Sequence, residues 1–113
     1  MEPLHLTTSR RDGILTVALS GELDIATTER FRSHLMELLQ QARHGDVAVV
    51  LEVSRLSFID AAGLGVLVSV HDHAQRRRTP LRIAGAPPAM RRLLRITGLD
   101  AHLHMIGAGC PHR

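Results

Sequence analysis

Five consecutive apolar residues, Val47-Ala48-Val49-Val50-Leu51, constrain this chain more than any other stretch. The run is too short for a helix and apolar on both faces, which is how a strand covered by helices on either side reads. Strand-like and helix-like periodicities alternate around it. Upstream, Leu4, Leu6 and Thr8 alternate with more polar neighbours. Arg11-Asp12-Gly13 is turn chemistry, and residues 14–19 read as a second strand, so the two runs form a hairpin. Gly21-Glu22-Leu23-Asp24 closes that strand. Thr27 stands where it would N-cap a helix running to about Arg43. Phe31, Leu35, Leu38, Leu39 and Ala42 share one stripe of that helix, and Gly45 follows as its stop.

Downstream of the apolar run, residues 54–59 read as a connection and Asp60 as the cap of a second helix. Leu64, Leu67, Val68 and His71 share a face of that helix, which runs out in Arg76-Arg77-Arg78 and stops at Thr79-Pro80. Residues 81–84 are a short strand. Pro87-Pro88 opens a third helix with Met90, Leu93, Leu94 and Thr97 on one stripe and Gly98 after it. Residues 102–106 read as a last strand, and residues 107–113 as a glycine-rich, flexible tail. Strands alternating with helices, behind an opening hairpin, predict one α/β domain over residues 1–113. Its sheet is mixed, of four to five strands, packed by three or more helices.

Composition excludes several functions. Phe31 and Phe58 are the only aromatic residues, so no platform exists for stacking single-stranded bases. All 14 basic side chains are Arg, which excludes Schiff-base catalysis and a P-loop lysine. Charge is uneven: residues 1–56 carry six Arg and eight acids, residues 57–113 eight Arg and three acids. Arg76, Arg77, Arg78, Arg82, Arg91, Arg92 and Arg95 suit an acidic protein surface as well as a nucleic acid. No nucleic-acid partner is expected. Gly63 and Gly65 supply only G-x-G, with Val68 where a dinucleotide fingerprint needs its third glycine, so no nucleotide cofactor is expected. No apolar run approaches the roughly 20 residues of a membrane span, and residues 1–11 lack a signal-peptide pattern. The lone Cys110 suits a reducing compartment, and together these predict a cytoplasmic protein. His102, His104, Cys110 and His112 have metal-ligand chemistry but no carboxylate beside them in sequence, and no metal site is expected there. His71 and His73 lie two apart on a helix and do not face each other. No nucleophile–base signature occupies a strand–turn–helix junction, so an enzyme is not expected.

Two segments carry a resemblance. Gly21-Glu22-Leu23-Asp24, and Phe58-Ile59-Asp60-Ala61-Ala62-Gly63-Leu64-Gly65-Val66-Leu67 about 35 residues on, resemble the STAS domain of anti-sigma factor antagonists. Nearly the whole chain, from Leu4 to Met105, fits that element order. The resemblance implies a partner-switching regulator that binds an anti-sigma factor of the serine-kinase type. It implies partner contacts at Glu22, Asp24, Asp60, Ala61, Ala62, Gly63 and Gly65. In such domains phosphorylation of a Ser or Thr just before the motif glycine abolishes binding. Here that position is Ala62, preceded by Ala61, and a methyl group accepts no phosphoryl group. Ser54 and Ser57 carry hydroxyls, but the family does not use those positions. Read from the residues alone, Glu22 and Asp24 are equally turn and cap chemistry, and Asp60 is an N-cap. An alternative within the resemblance is a non-switching STAS subunit of a transport or signalling assembly.

Overall fold

A computed structural model describes residues 3–41 and 48–106. The opening hairpin is β1 (His5–Arg11) and β2 (Ile14–Leu23), paired antiparallel with Arg11 opposite Ile14. Asp12 and Gly13 both adopt positive φ, 52° and 76°, the two-residue turn whose twist matches that of the strands. Then follow α1 (Thr28–Gln41), β3 (Ala48–Ile59), α2 (Ala61–Arg76), β4 (Leu81–Ala84), α3 (Pro88–Thr97), a 3-10 turn at Leu99–Ala101 and β5 (Met105–Ile106). The sheet has five strands in the order β1-β2-β3-β4-β5, and every pairing after the first is parallel. Each parallel step is therefore a crossover through one helix, as the alternation of periods predicts.

The core is one aliphatic cluster. Val17, Leu19 and Leu23 of β2 and Val49, Leu51 and Val53 of β3 meet Phe31, Leu35 and Leu39 of α1 and Leu64, Leu67 and Val70 of α2, all buried. From α3, Met90 and Leu94 join them, whereas Leu93 and Thr97, on the same predicted stripe, stay exposed. Pro88 is the first residue of α3, and Gly98 ends it at φ 77°.

Four expectations need correction. Residues 54–59 are not a connection: β3 continues to Ile59. Its register with β2 shifts between Ala18 and Ser20 and again between Gly21 and Glu22, each shift adding one residue to β3. Such bulges break the alternation by which a strand is recognised. Nor is β3 covered equally on both faces, since Val49, Leu51 and Val53 are buried while Ala48, Val50 and Glu52 are half-buried. The Thr27 hydroxyl does not cap α1 forwards. It accepts from the Asp24 N–H at 3.0 Å and donates to the Glu22 carbonyl at 3.0 Å. The last strand is two residues long, because His102 ends the 3-10 turn and only Met105 and Ile106 pair with β4. Ala42, Gly45, Val47 and the tail over 107–113 lie outside the described residues.

Candidate functional site

β2 and β3 end side by side, at Leu23 and Ile59, and the chain leaves them into α1 and α2. This is the carboxyl edge of a parallel pair, where open α/β sheets place their sites. Asp60 ties the two exits together. Its Oδ1 accepts from the Gly63 N–H at 2.9 Å, which caps α2, and its Oδ2 accepts from the Ile25 N–H at 3.2 Å. Its own N–H donates to the Leu23 carbonyl at 3.3 Å. A single carboxylate thus caps one helix and anchors the turn before the other.

Gly63 is buried under that junction, and a Cβ there would strike the Leu23 carbonyl oxygen and come 2.8 Å from Ile59 Cγ1. Only a residue without a side chain lets α2 start this close to the end of β2. Gly65 is different. It is exposed, and a Cβ there meets nothing within 4 Å. Ala61 is exposed and Ala62 half-exposed on the first turn of α2. Asp24 folds its own turn, its Oδ1 accepting from the Ala26 N–H at 3.0 Å. Glu22 is half-buried on β2, opposite Phe58 in register.

The surface around this junction is apolar. Ile25 is 79 % exposed and Phe58 50 % exposed. Beside Phe58 runs a groove of about 300 Å³, walled by Ile59, Pro87, Ala89 and Leu93. The serine hydroxyls upstream are engaged within the chain. Ser57 Oγ donates to the Gly21 carbonyl at 3.1 Å, and Ser54 Oγ donates to Glu52 Oε1 at 2.6 Å. Methyl groups, an immobilised carboxylate and exposed apolar side chains suit close docking of another surface. The arginines singled out in the sequence are all exposed, spread over the end of α2, β4 and α3.

A second constellation, at the far end of α2, escaped sequence reasoning. His71 is only 1 % exposed, and its Nε2 lies 3.0 Å from His104 Nδ1. Its Nδ1 lies 3.3 Å from Asp72 Oδ1, which also meets His102 Nε2 at 2.8 Å. The hydrogen bond from His102 holds the Asp72 carboxyl below the ordinary carboxylate range, against the opposing effect of partial burial, and His71 adds a smaller contribution in the same direction. The His102-x-His104 spacing was the available signal. Its carboxylate and third imidazole come from α2, 30 and 33 residues away.

Among the described residues no helix is long and apolar enough to cross a membrane. The sequence profile of the STAS domain family matches residues 5–107. The anti-sigma F factor antagonist of Paenibacillus polymyxa is 32 % identical over 98 residues, covering 85 % of this chain and 80 % of that protein. An anti-sigma-B factor antagonist of Staphylococcus epidermidis is 31 % identical over 102 residues, covering 90 % of this chain and 92 % of its own length. Among solved structures, an anti-sigma factor antagonist from Mycobacterium paratuberculosis superposes with a TM-score of 0.79 at 23 % identity, covering 91 % of this chain and 85 % of that one, a likeness of fold.

Proposed function

The chain belongs to the STAS domain family, and on that premise we propose that it is an anti-sigma factor antagonist that binds a serine-kinase-type anti-sigma factor and is not switched off by it. The observation that supports this reading best is the junction at the mouth of α2. Exposed Ile25 and Phe58 flank the start of α2, which presents Ala61, Ala62 and Gly65, and Asp60 ties the Ile25 turn to that helix start. The docking face comprises Glu22, Asp24, Asp60, Ala61, Ala62 and Gly65, with buried Gly63 setting its shape.

Ala62 decides the regulation. A phosphate at that position would place about −1.5 to −2 charges beside Asp60 and against the incoming partner, the local repulsion by which a modification disrupts docking. A methyl group cannot carry that phosphate, so the face stays competent to bind whatever the kinase does.

The test uses the purified chain and kinase-type anti-sigma factors encoded near its gene, with complex formation read by size-exclusion chromatography. A complex is expected with either ADP or ATP present. Ala62→Ser should restore the switch, becoming phosphorylated with ATP and leaving the complex, and Ala62→Glu should weaken binding roughly ten-fold or more. Absence of a complex with every such kinase, together with recovery of the chain in a larger assembly, would overturn the reading in favour of a non-switching subunit. Binding by Ala62→Ser without phosphorylation would overturn the kinase half of it.

A further inference from the structure

We propose that His71, Asp72 and His102 form a binding site for one divalent transition-metal ion of the zinc class, with His104 orienting His71. Their ligand atoms all lie within 4.8 Å of one another. Asp72 Oδ1 stands between the two nitrogens, 3.3 Å from His71 Nδ1 and 2.8 Å from His102 Nε2. A tetrahedral ion with bonds of about 2.0–2.1 Å holds its ligand atoms about 3.4 Å apart, so changes of at most about 1.4 Å in these separations close the site. Two imidazoles and one carboxylate are the donors of open zinc sites, in which water takes the fourth position.

The surroundings supply what such a site needs. Asp72 and His102 have side chains 35 % and 47 % exposed, which leaves a route for the ion and room for water, while His71 forms the closed wall. To bind a metal through Nδ1, His71 must carry its proton on Nε2. That Nε2 has His104 Nδ1 at 3.0 Å to accept it. A metal-bound histidine characteristically donates its second N–H in this way, which fixes tautomer and ring together. The His104 ring lies tilted 49° against that of His71 with centroids 4.9 Å apart, close enough to limit its rotation. In place of two N–H···O bonds to Asp72, one ion would join all three groups. It would clasp α2 to the segment between the 3-10 turn and the two-residue β5, which has little sheet pairing to hold it.

The test is titration of the chelator-treated full chain with Zn(II) by calorimetry, and with Co(II) followed by visible absorption. One equivalent per chain is expected, with cobalt bands of a four- or five-coordinate site. Asp72→Asn and His102→Ala, both at partly exposed positions, should each weaken binding at least 100-fold, and His104→Ala roughly 10- to 100-fold. Zinc at about a hundred times its Kd should raise the thermal midpoint of the unaltered chain by about 10 °C and leave that of Asp72→Asn in place. Cys110→Ser, outside the described residues, should bind as the parent does. The proposal fails if no saturable one-equivalent binding occurs. It fails equally if Asp72→Asn and His102→Ala bind as tightly as the parent, or if Cys110→Ser abolishes binding.

Discussion

Replacing Gly63 and Gly65 in turn by alanine should move stability in opposite directions, although the two lie only two positions apart near the start of α2. Both sit within the helix, so alanine brings each a propensity gain of about 1 kcal/mol. At Gly65 nothing opposes it, because the added methyl meets no atom within 4 Å. At Gly63 the methyl overlaps the Leu23 carbonyl and stands 2.8 Å from Ile59 Cγ1. Relieving that overlap means moving α2 away from β2, at the 1–3 kcal/mol typical of overpacking, roughly. The shift also stretches the 3.3 Å bond from the Asp60 N–H to the Leu23 carbonyl, at a cost of about 1 kcal/mol. Gly63→Ala should therefore lose about 1–3 kcal/mol net, while Gly65→Ala gains up to about 1. For 113 residues, 1 kcal/mol corresponds to about 4 °C, so the two variants should melt about 10 °C apart. Urea unfolding with unchanged m-values measures the difference directly. A stable Gly63→Ala, or a destabilised Gly65→Ala, would refute the claim that the Leu23 contact, rather than helix chemistry, demands the motif glycine.

Two further substitutions separate stability from docking. Asp60→Ala removes the acceptor for both the Gly63 and Ile25 N–H groups and should cost about 1–2 kcal/mol in urea unfolding, with Asp60→Asn recovering part of it; a neutral Asp60→Ala would show the two bonds to be idle. Phe58→Ala removes a half-exposed ring and should change stability by less than about 1 kcal/mol while weakening partner binding by roughly ten-fold or more, read by calorimetry. Unchanged affinity would move the docking face elsewhere.

The order of elements was legible because each follows from local periodicity. Phe31, Leu35 and Leu39 are buried where the 3.6-residue stripe puts them, and the turns at Asp12-Gly13 and Gly98 follow from residues that tolerate positive φ. The second half of β3 was not legible. Glu52, Ser54, Arg55 and Ser57 suggest a loop, and only pairing with β2 across two bulges makes them strand. The Asp60 cap was readable from its own neighbours, but its bond to Ile25 spans 35 residues and has no local signature. Gly63 and Gly65 look equivalent in sequence. The carbonyl that distinguishes them belongs to Leu23, 40 positions upstream. The histidine cluster escaped for the same reason: beside Asp72 and His73 nothing marks His71, and the two imidazoles that complete the cluster arrive from beyond α3.

The double use of Asp60 has a kinetic consequence. One carboxylate fastens both chain exits, so the turn carrying Ile25 is tethered to the first turn of α2. A partner docking as proposed would meet a turn already tied in place, so less conformational entropy is surrendered on association. Association of the proposed partner then waits on no ordering of this face, and selectivity among competing surfaces is expressed mainly in how long each stays bound.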